Sequence, residues 1–82
     1  MTTVKLYKTK VCPYCKMEAE YLREKSVDFE EIYVDSDPKL AEQMMESSGQ
    51  MGVPFTHITG DNGEHKIVGF DKGKIDAALG LS

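Results

Sequence analysis

Lys10-Val11-Cys12-Pro13-Tyr14-Cys15-Lys16 holds both cysteines of an 82-residue chain, with a proline and a tyrosine between them. Read as the start of a helix, this stretch puts Cys12 at the N-cap and Pro13 at the first helical position, where a missing N–H costs nothing. Cys15 then falls one turn further on. The positive end of the helix dipole favours a thiolate at Cys12, and thiolates so placed have pKa values well below the roughly 8.5 of a free cysteine. Lys8, Lys10 and Lys16 add positive charge nearby. Cys15 is close enough to attack a mixed disulfide formed at Cys12 and release the product.

Other uses of the pair are weaker. A disulfide closing so short a loop adds little stability, and a chain without a secretory leader points to a reducing compartment. Zinc needs about four ligands. Beyond the cysteines the chain offers His57 and His65, with seven residues between them where three to five are usual. A C-x-x-C beside a βαβ pattern reads first as a redox motif, so no metal is expected.

Composition narrows the class. Eighty-two residues make one small domain, residues 1–82, and 40% hydrophobic content suffices for it to fold alone, as an expected monomer. A net charge of −4 and a pI near 5.0 argue against nucleic acid and anionic membranes as partners. No apolar run has the length of a membrane span, and Met1-Thr2-Thr3-Val4-Lys5 lacks a basic-then-apolar leader, so the protein is expected in the cytoplasm.

Around the cysteines the elements follow in order. Val4-Lys5-Leu6-Tyr7 alternates as a strand does, and a Lys8–Val11 loop leads to the Cys12 helix. That helix runs to about Lys25 with Met17, Tyr21 and Leu22 inward and Lys16, Glu18, Glu20, Arg23 and Glu24 on the wet face. Phe29–Val34 forms the second strand. Asp35-Ser36-Asp37-Pro38 supplies a turn, an N-cap and an N1 proline for a helix to about Ser47. Leu40, Ala41, Met44 and Met45 face inward there, and Gly49 closes it in a left-handed conformation. After Gln50–Pro54 a third strand, Phe55–Ile58, joins His65–Val68 through the turn-rich Thr59–Glu64, a hairpin in which His57 and His65 point to solvent. Gly69-Phe70-Asp71 leads to a last helix through about Leu79, with Asp71 as N-cap and Ile75, Ala78 and Leu79 inward. The order β-α-β-α-β-β-α needs a parallel first pair and an antiparallel final hairpin, giving an α/β fold with one mixed sheet and helices on both faces.

That order resembles the glutaredoxin branch of the thioredoxin fold. The likeness rests on Cys12-Pro13-Tyr14-Cys15 after the first strand, Val53-Pro54 before the third, and a Gly-x-Asp turn before the last helix. It spans essentially the whole chain. It implies a four-stranded sheet in order 2-1-3-4 flanked by three helices, Pro54 in cis facing the cysteines, and disulfide exchange with Cys12 as nucleophile and Cys15 as resolving thiol. Tyr14 would shape the substrate groove, the Val53 backbone would pair with an incoming cysteinyl substrate as an added strand, and Lys8 and Lys10 would tune Cys12. No cofactor is implied as bound; glutathione is the implied co-substrate, and the backbone at Gly69, Phe70 and Asp71 would hold its γ-glutamyl carboxylate.

The departures bear on glutathione. Many glutathione-using members carry a lysine three residues before the first cysteine, where this chain has Thr9. Their Thr-Val-Pro is Gly52-Val53-Pro54 here, and Val68 replaces the first glycine of a Gly-Gly turn and is expected to crowd the groove. The Gly69-Phe70 pair instead looks similar to glutaredoxin-like redoxins that act like thioredoxins. Some of these supply electrons to ribonucleotide reductase and are reduced by a flavoprotein reductase. A third class, a binding module in which two chains each give Cys12 to an iron-sulfur cluster, is linked among relatives mainly to single-cysteine motifs; Pro13 and Cys15 weigh against it.

Overall fold

The computed structural model describes residues 2–50, 52–60 and 63–80. Extended runs bounded by turn residues become strands β1 (Thr3–Lys8), β2 (Glu30–Tyr33), β3 (Phe55–Gly60) and β4 (Gly63–Val68), and the capped apolar stripes become helices α1 (Pro13–Glu24), α2 (Pro38–Ser48) and α3 (Lys72–Leu79). The sheet order is β2-β1-β3-β4. β1 runs parallel to β2, from Lys5 opposite Glu30 to Lys8 opposite Tyr33. It runs antiparallel to β3, from Thr3 opposite Thr59 to Tyr7 opposite Phe55. β4 completes the hairpin from Phe55–Val68 to Gly60–Gly63. The Asp61-Asn62 tip of the expected turn, and Met51 in the expected Gln50–Pro54 connection, lie outside the described residues.

Local chemistry sets the helix ends. Asp37 accepts the Lys39 N–H at 2.9 Å ahead of Pro38, and Gly49 ends α2 with φ 74°, a value that favours glycine. Asp71 caps α3 by accepting the Lys74 N–H at 3.1 Å. Helices cover both faces of the sheet. α1 and α3 bury Leu22, Ile75 and Ala78 on Val4, Ile58 and Ile67, while Met44 of α2 packs with Tyr7, Ile32 and Phe55 on the other side.

Four expectations are corrected. Glu18, expected on the wet face of α1, is completely buried, whereas Met17 is 49% exposed. The inward stripe of α1 is Cys15, Glu18, Ala19 and Leu22, and in a helix only residues three or four apart share a face, which turns Met17 away. Met45 is likewise 47% exposed beside a buried Met44. His57 and His65 are half-buried rather than solvent-facing, because both faces of this sheet carry helices; His57 Nε2 lies 3.0 Å from Glu64. Lys8, expected in the loop, is the last residue of β1, its stem buried and its ammonium 3.8 Å from Glu31 and 5.2 Å over the Tyr33 ring.

Candidate active site

The site forms where chain ends converge. Because β3 runs antiparallel to both neighbours, the end of β1, the start of β3 and the end of β4 fall at one edge of the sheet. From that edge the chain leaves Lys8 through Thr9–Val11 to Cys12. The connection is pinned to the end of β2 by Val34 N–H donating to Lys8 O at 2.9 Å and Lys10 N–H donating to Asp35 Oδ2 at 3.1 Å. The Val53–Pro54 bond is cis, and Pro54 enters β3 at the same edge. Gly69, with φ 82°, follows β4 and donates its N–H to Pro54 O at 2.8 Å, tying the approach to α3 onto the Pro54 segment. Phe70 meets the Tyr21 ring edge-on at 5.8 Å between centroids.

Cys12 occupies the N-cap of α1 with extended backbone angles, φ −88° and ψ 111°, ahead of Pro13. Its sulfur accepts the Cys15 N–H at 3.2 Å, and its carbonyl accepts the Lys16 N–H at 3.2 Å. The two thiols are free and differ in access: Cys12 is half-exposed, Cys15 fully buried. Burial first, and then the hydrogen bond with Cys12, push the Cys15 thiol up to about 12, against the pull of a Thr9 backbone contact and the Lys8 charge. Cys15 therefore waits as a thiol while Cys12 meets the solvent.

The consequence is measurable. At pH 8 a thiol of pKa about 12 is ionised in only ~10⁻⁴ of molecules. Brief iodoacetamide treatment of the reduced, folded protein should label Cys12 alone, with Cys15 reacting only after denaturation. Peptide mass spectrometry reads this directly, and comparable labelling of both residues would contradict the assignment.

Beside Cys12 lies a cleft of about 170 Å³ lined by Lys8, Thr9, Lys10, Lys16 and Tyr33. Three lysine side chains and a phenol line it, and the ammonium of one of them, Lys8, lies 3.8 Å from Glu31. Tyr33 was not singled out from the sequence; it falls opposite Lys8 only once β1 and β2 are paired. Exposed apolar side chains stand on the same part of the molecule. Val11 is 87% and Tyr14 62% exposed, flanking the cysteines in sequence, and Val68, expected to crowd the groove, is 55% exposed at the end of β4.

Known proteins carry the same frame. The family model for glutaredoxin matches residues 4–62, both cysteines included. A glutaredoxin-like 8.6 kDa protein from the rubredoxin operon of Clostridium pasteurianum is 44% identical over 76 residues, covering 93% of this chain and 96% of that protein. Among solved structures, the glutaredoxin grx-1 of Archaeoglobus fulgidus superposes with a TM-score of 0.81 at 30% identity, over 96% of this chain and 87% of that one. The glutaredoxin-like NrdH-redoxin of Escherichia coli, described as having a thioredoxin-like activity profile, gives 0.77 at 27% identity over 92% of each chain. With a half-exposed thiol capping a helix and a buried thiol one turn behind it, the chain belongs to the glutaredoxin family: it is a thiol oxidoreductase of thioredoxin-like fold.

Proposed function

We propose that this protein is a dithiol disulfide reductase that takes its electrons from glutathione. The observation that carries the reading is the lysine-lined cleft against Cys12. In this reading the Cys12 thiolate attacks a client disulfide; a Cys12–client S–S bond forms, and the other client sulfur leaves with the electron pair. Cys15 then attacks Cys12, the second client thiol leaves, and the protein is left as the Cys12–Cys15 disulfide. Two glutathione thiols return it to the dithiol as they become glutathione disulfide. Glutathione presents carboxylates at its two ends. One suits the recess between Lys8, Lys10 and Lys16, and the other suits the backbone N–H groups at the start of α3, around Phe70 and Asp71. In this reading the backbone of Val53, which precedes the ladder that starts at the Tyr7–Phe55 pair, receives a client strand. In this reading the protein works in the reducing cytoplasm, as a monomer, and makes disulfides only transiently.

The cleft has its own test. Reversing Lys10 and Lys16 to glutamate should slow attack on glutathione disulfide about tenfold relative to attack on neutral hydroxyethyl disulfide, since each partly exposed charge pair contributes up to ~1 kcal/mol. An unchanged ratio in stopped-flow measurements would remove the anion from the cleft.

A second reading draws on Thr9, on the Gly69-Phe70 pair and on the likeness to a redoxin with a thioredoxin-like activity profile. There the donor is a flavoprotein reductase and a client is ribonucleotide reductase. Reducing the oxidised protein with glutathione and glutathione reductase in one cuvette and with thioredoxin reductase in another, each followed by NADPH consumption, decides between them. Rapid coupling to glutathione supports the first reading. Coupling only to the flavoprotein overturns it.

A further inference from the structure

Gly52 stands where relatives carry the threonine of Thr-Val-Pro, and the residue it accommodates is Gln50. The Gln50 backbone is tied to the last turn of α2: Ser48 Oγ lies 2.7 Å from Met44 O and 2.8 Å from Gln50 O, and it accepts the Gln50 N–H at 3.3 Å. The Gln50 side chain then turns onto the chain two residues ahead. Its Oε1 accepts the Gly52 N–H, and its Nε2 donates to Gly52 O at 3.0 Å. One carboxamide thus satisfies both backbone groups of one residue, as a neighbouring strand does in a ladder. Its orientation is fixed, because the flipped amide would set N–H against N–H and oxygen against oxygen. A Cβ at position 52 would stand 2.5 Å from Gln50 Oε1, so the pairing is open to a glycine there and closed to a threonine.

We propose that Gln50 is a positioning residue for client docking: its carboxamide backs one side of the Gly52–Val53 segment, so that the Val53 N–H and C=O are presented on the other side to the backbone of a polypeptide client. The inference rests on the reading that Val53 receives a client strand. In an extended segment the N–H and C=O of one residue point one way and those of the next point the opposite way. A residue before proline is held extended, which applies to Val53 ahead of Pro54. With Gly52 engaged by Gln50, the Val53 groups therefore face away from Gln50. Val53 precedes the ladder, and neither of its backbone groups has a backbone partner among the described residues. Gln50 itself touches no client and takes no part in the exchange of sulfur bonds.

What the pairing changes is entropy. Fixing the backbone of one residue costs about as much free energy as one net hydrogen bond contributes. An unbacked Val53 would be ordered only when the client arrives, and that ordering would offset the gain from pairing. Here the segment is held in advance from both ends: Ser48 and Gln50 hold it on the α2 side, and the Gly69 N–H, 2.8 Å from Pro54 O, holds it on the β4 side. The client class follows. A polypeptide, or glutathione, carries a peptide group on each side of its cysteine and benefits from a Val53 already in place. A small disulfide without peptide groups does not.

The test uses two uncharged alanine peptides with a central cysteine, each as its symmetric disulfide. One is unmodified; the other is methylated on the cysteine nitrogen and has no N–H there for Val53 O. Reaction with the reduced protein is acid-quenched and read by mass spectrometry, with hydroxyethyl disulfide as the substrate that lacks peptide groups. In the wild type the unmodified peptide should react about fivefold faster than the methylated one, the size of one net hydrogen bond. Gln50→Ala should bring that ratio below about two and leave the rate on hydroxyethyl disulfide within about twofold. Gly52→Ala drives the carboxamide off the loop with its own Cβ and should lower the ratio as far. The two substitutions together should do no more than either alone, because they remove the same pairing. A wild-type ratio retained in Gln50→Ala overturns the proposal alone, as do equal slowing on every disulfide and effects of the two substitutions that multiply. Equal rates on the two peptides in the wild type overturn the Val53 reading and this inference with it.

Discussion

Cys12→Ser brings disulfide exchange to background, a loss of about a thousandfold or more, while Cys15→Ser keeps the first attack and stops at the mixed disulfide. A serine hydroxyl is not ionised at neutral pH and does not attack disulfides, so the effect of the first substitution is chemical. It is also free of a folding artefact, since serine is among the best N-cap residues and accepts the same backbone N–H that Cys12 Sγ accepts from Cys15 at 3.2 Å. Cys15 cannot take over. It is fully buried, and its thiol is pushed up to about 12. In Cys15→Ser the half-exposed Cys12 still meets the reagent, but nothing in the next turn expels it. Intact-protein mass spectrometry should find the client thiol retained on Cys12, and the first thiol equivalent released from 5,5′-dithiobis(2-nitrobenzoate) should appear at the wild-type rate. Activity above about a hundredth of wild type in Cys12→Ser would reverse the roles assigned to the two sulfurs.

What could be read from the sequence was what is set within a few residues. Cys12-Pro13, Asp37-Pro38, Gly49 and Asp71 each mark a helix end through a short-range hydrogen bond or a backbone preference, and each does so in the fold. The strand order and both cysteines followed from the same local signals together with the family resemblance. What could not be read depends on partners far along the chain. Glu18 looks like a surface residue by type, and the residue that makes its burial tolerable, Thr56, is 38 positions away. The clue was in the phase of α1: once Cys15 is taken as buried, positions 18, 19 and 22 complete one face and Met17 falls outside it. The histidines failed for another reason. They were read from the alternation of the hairpin alone, and the helices expected on both faces of the sheet leave neither of them fully exposed. Lys8 was placed in the loop that follows the alternating Val4–Tyr7 stretch, although a lysine stem packs readily while its ammonium reaches out to Glu31.

The burial of Glu18 also predicts the largest effect on stability, with a definite sign in pH. In the unfolded chain a glutamate titrates near 4.5, whereas in the fold this carboxyl is pushed up to about 7. Below pH 4.5 it is neutral in both states and costs nothing. Between the two values the folded protein holds a proton that the unfolded chain has released, so stability falls as pH rises; above about 7 the full cost of a buried charge is present. At 1.36 kcal/mol per pH unit over that interval, the cost reaches on the order of 3 kcal/mol. Glu18→Gln does not titrate. Its stability relative to wild type should therefore increase by ~3 kcal/mol between pH 4 and pH 8, whatever constant offset its amide N–H groups introduce. Urea unfolding of both proteins under reducing conditions at pH 4, 6 and 8 measures this, and groups common to the two cancel in the difference. A difference flat across pH would mean that the folded carboxyl titrates as it does in water and that its burial carries no charge penalty. A change of the expected sign means that the fold carries a destabilising charge at neutral pH, enclosed between α1 and the sheet. An apolar residue at position 18 would avoid that cost and would give up the hydrogen bond from Thr56.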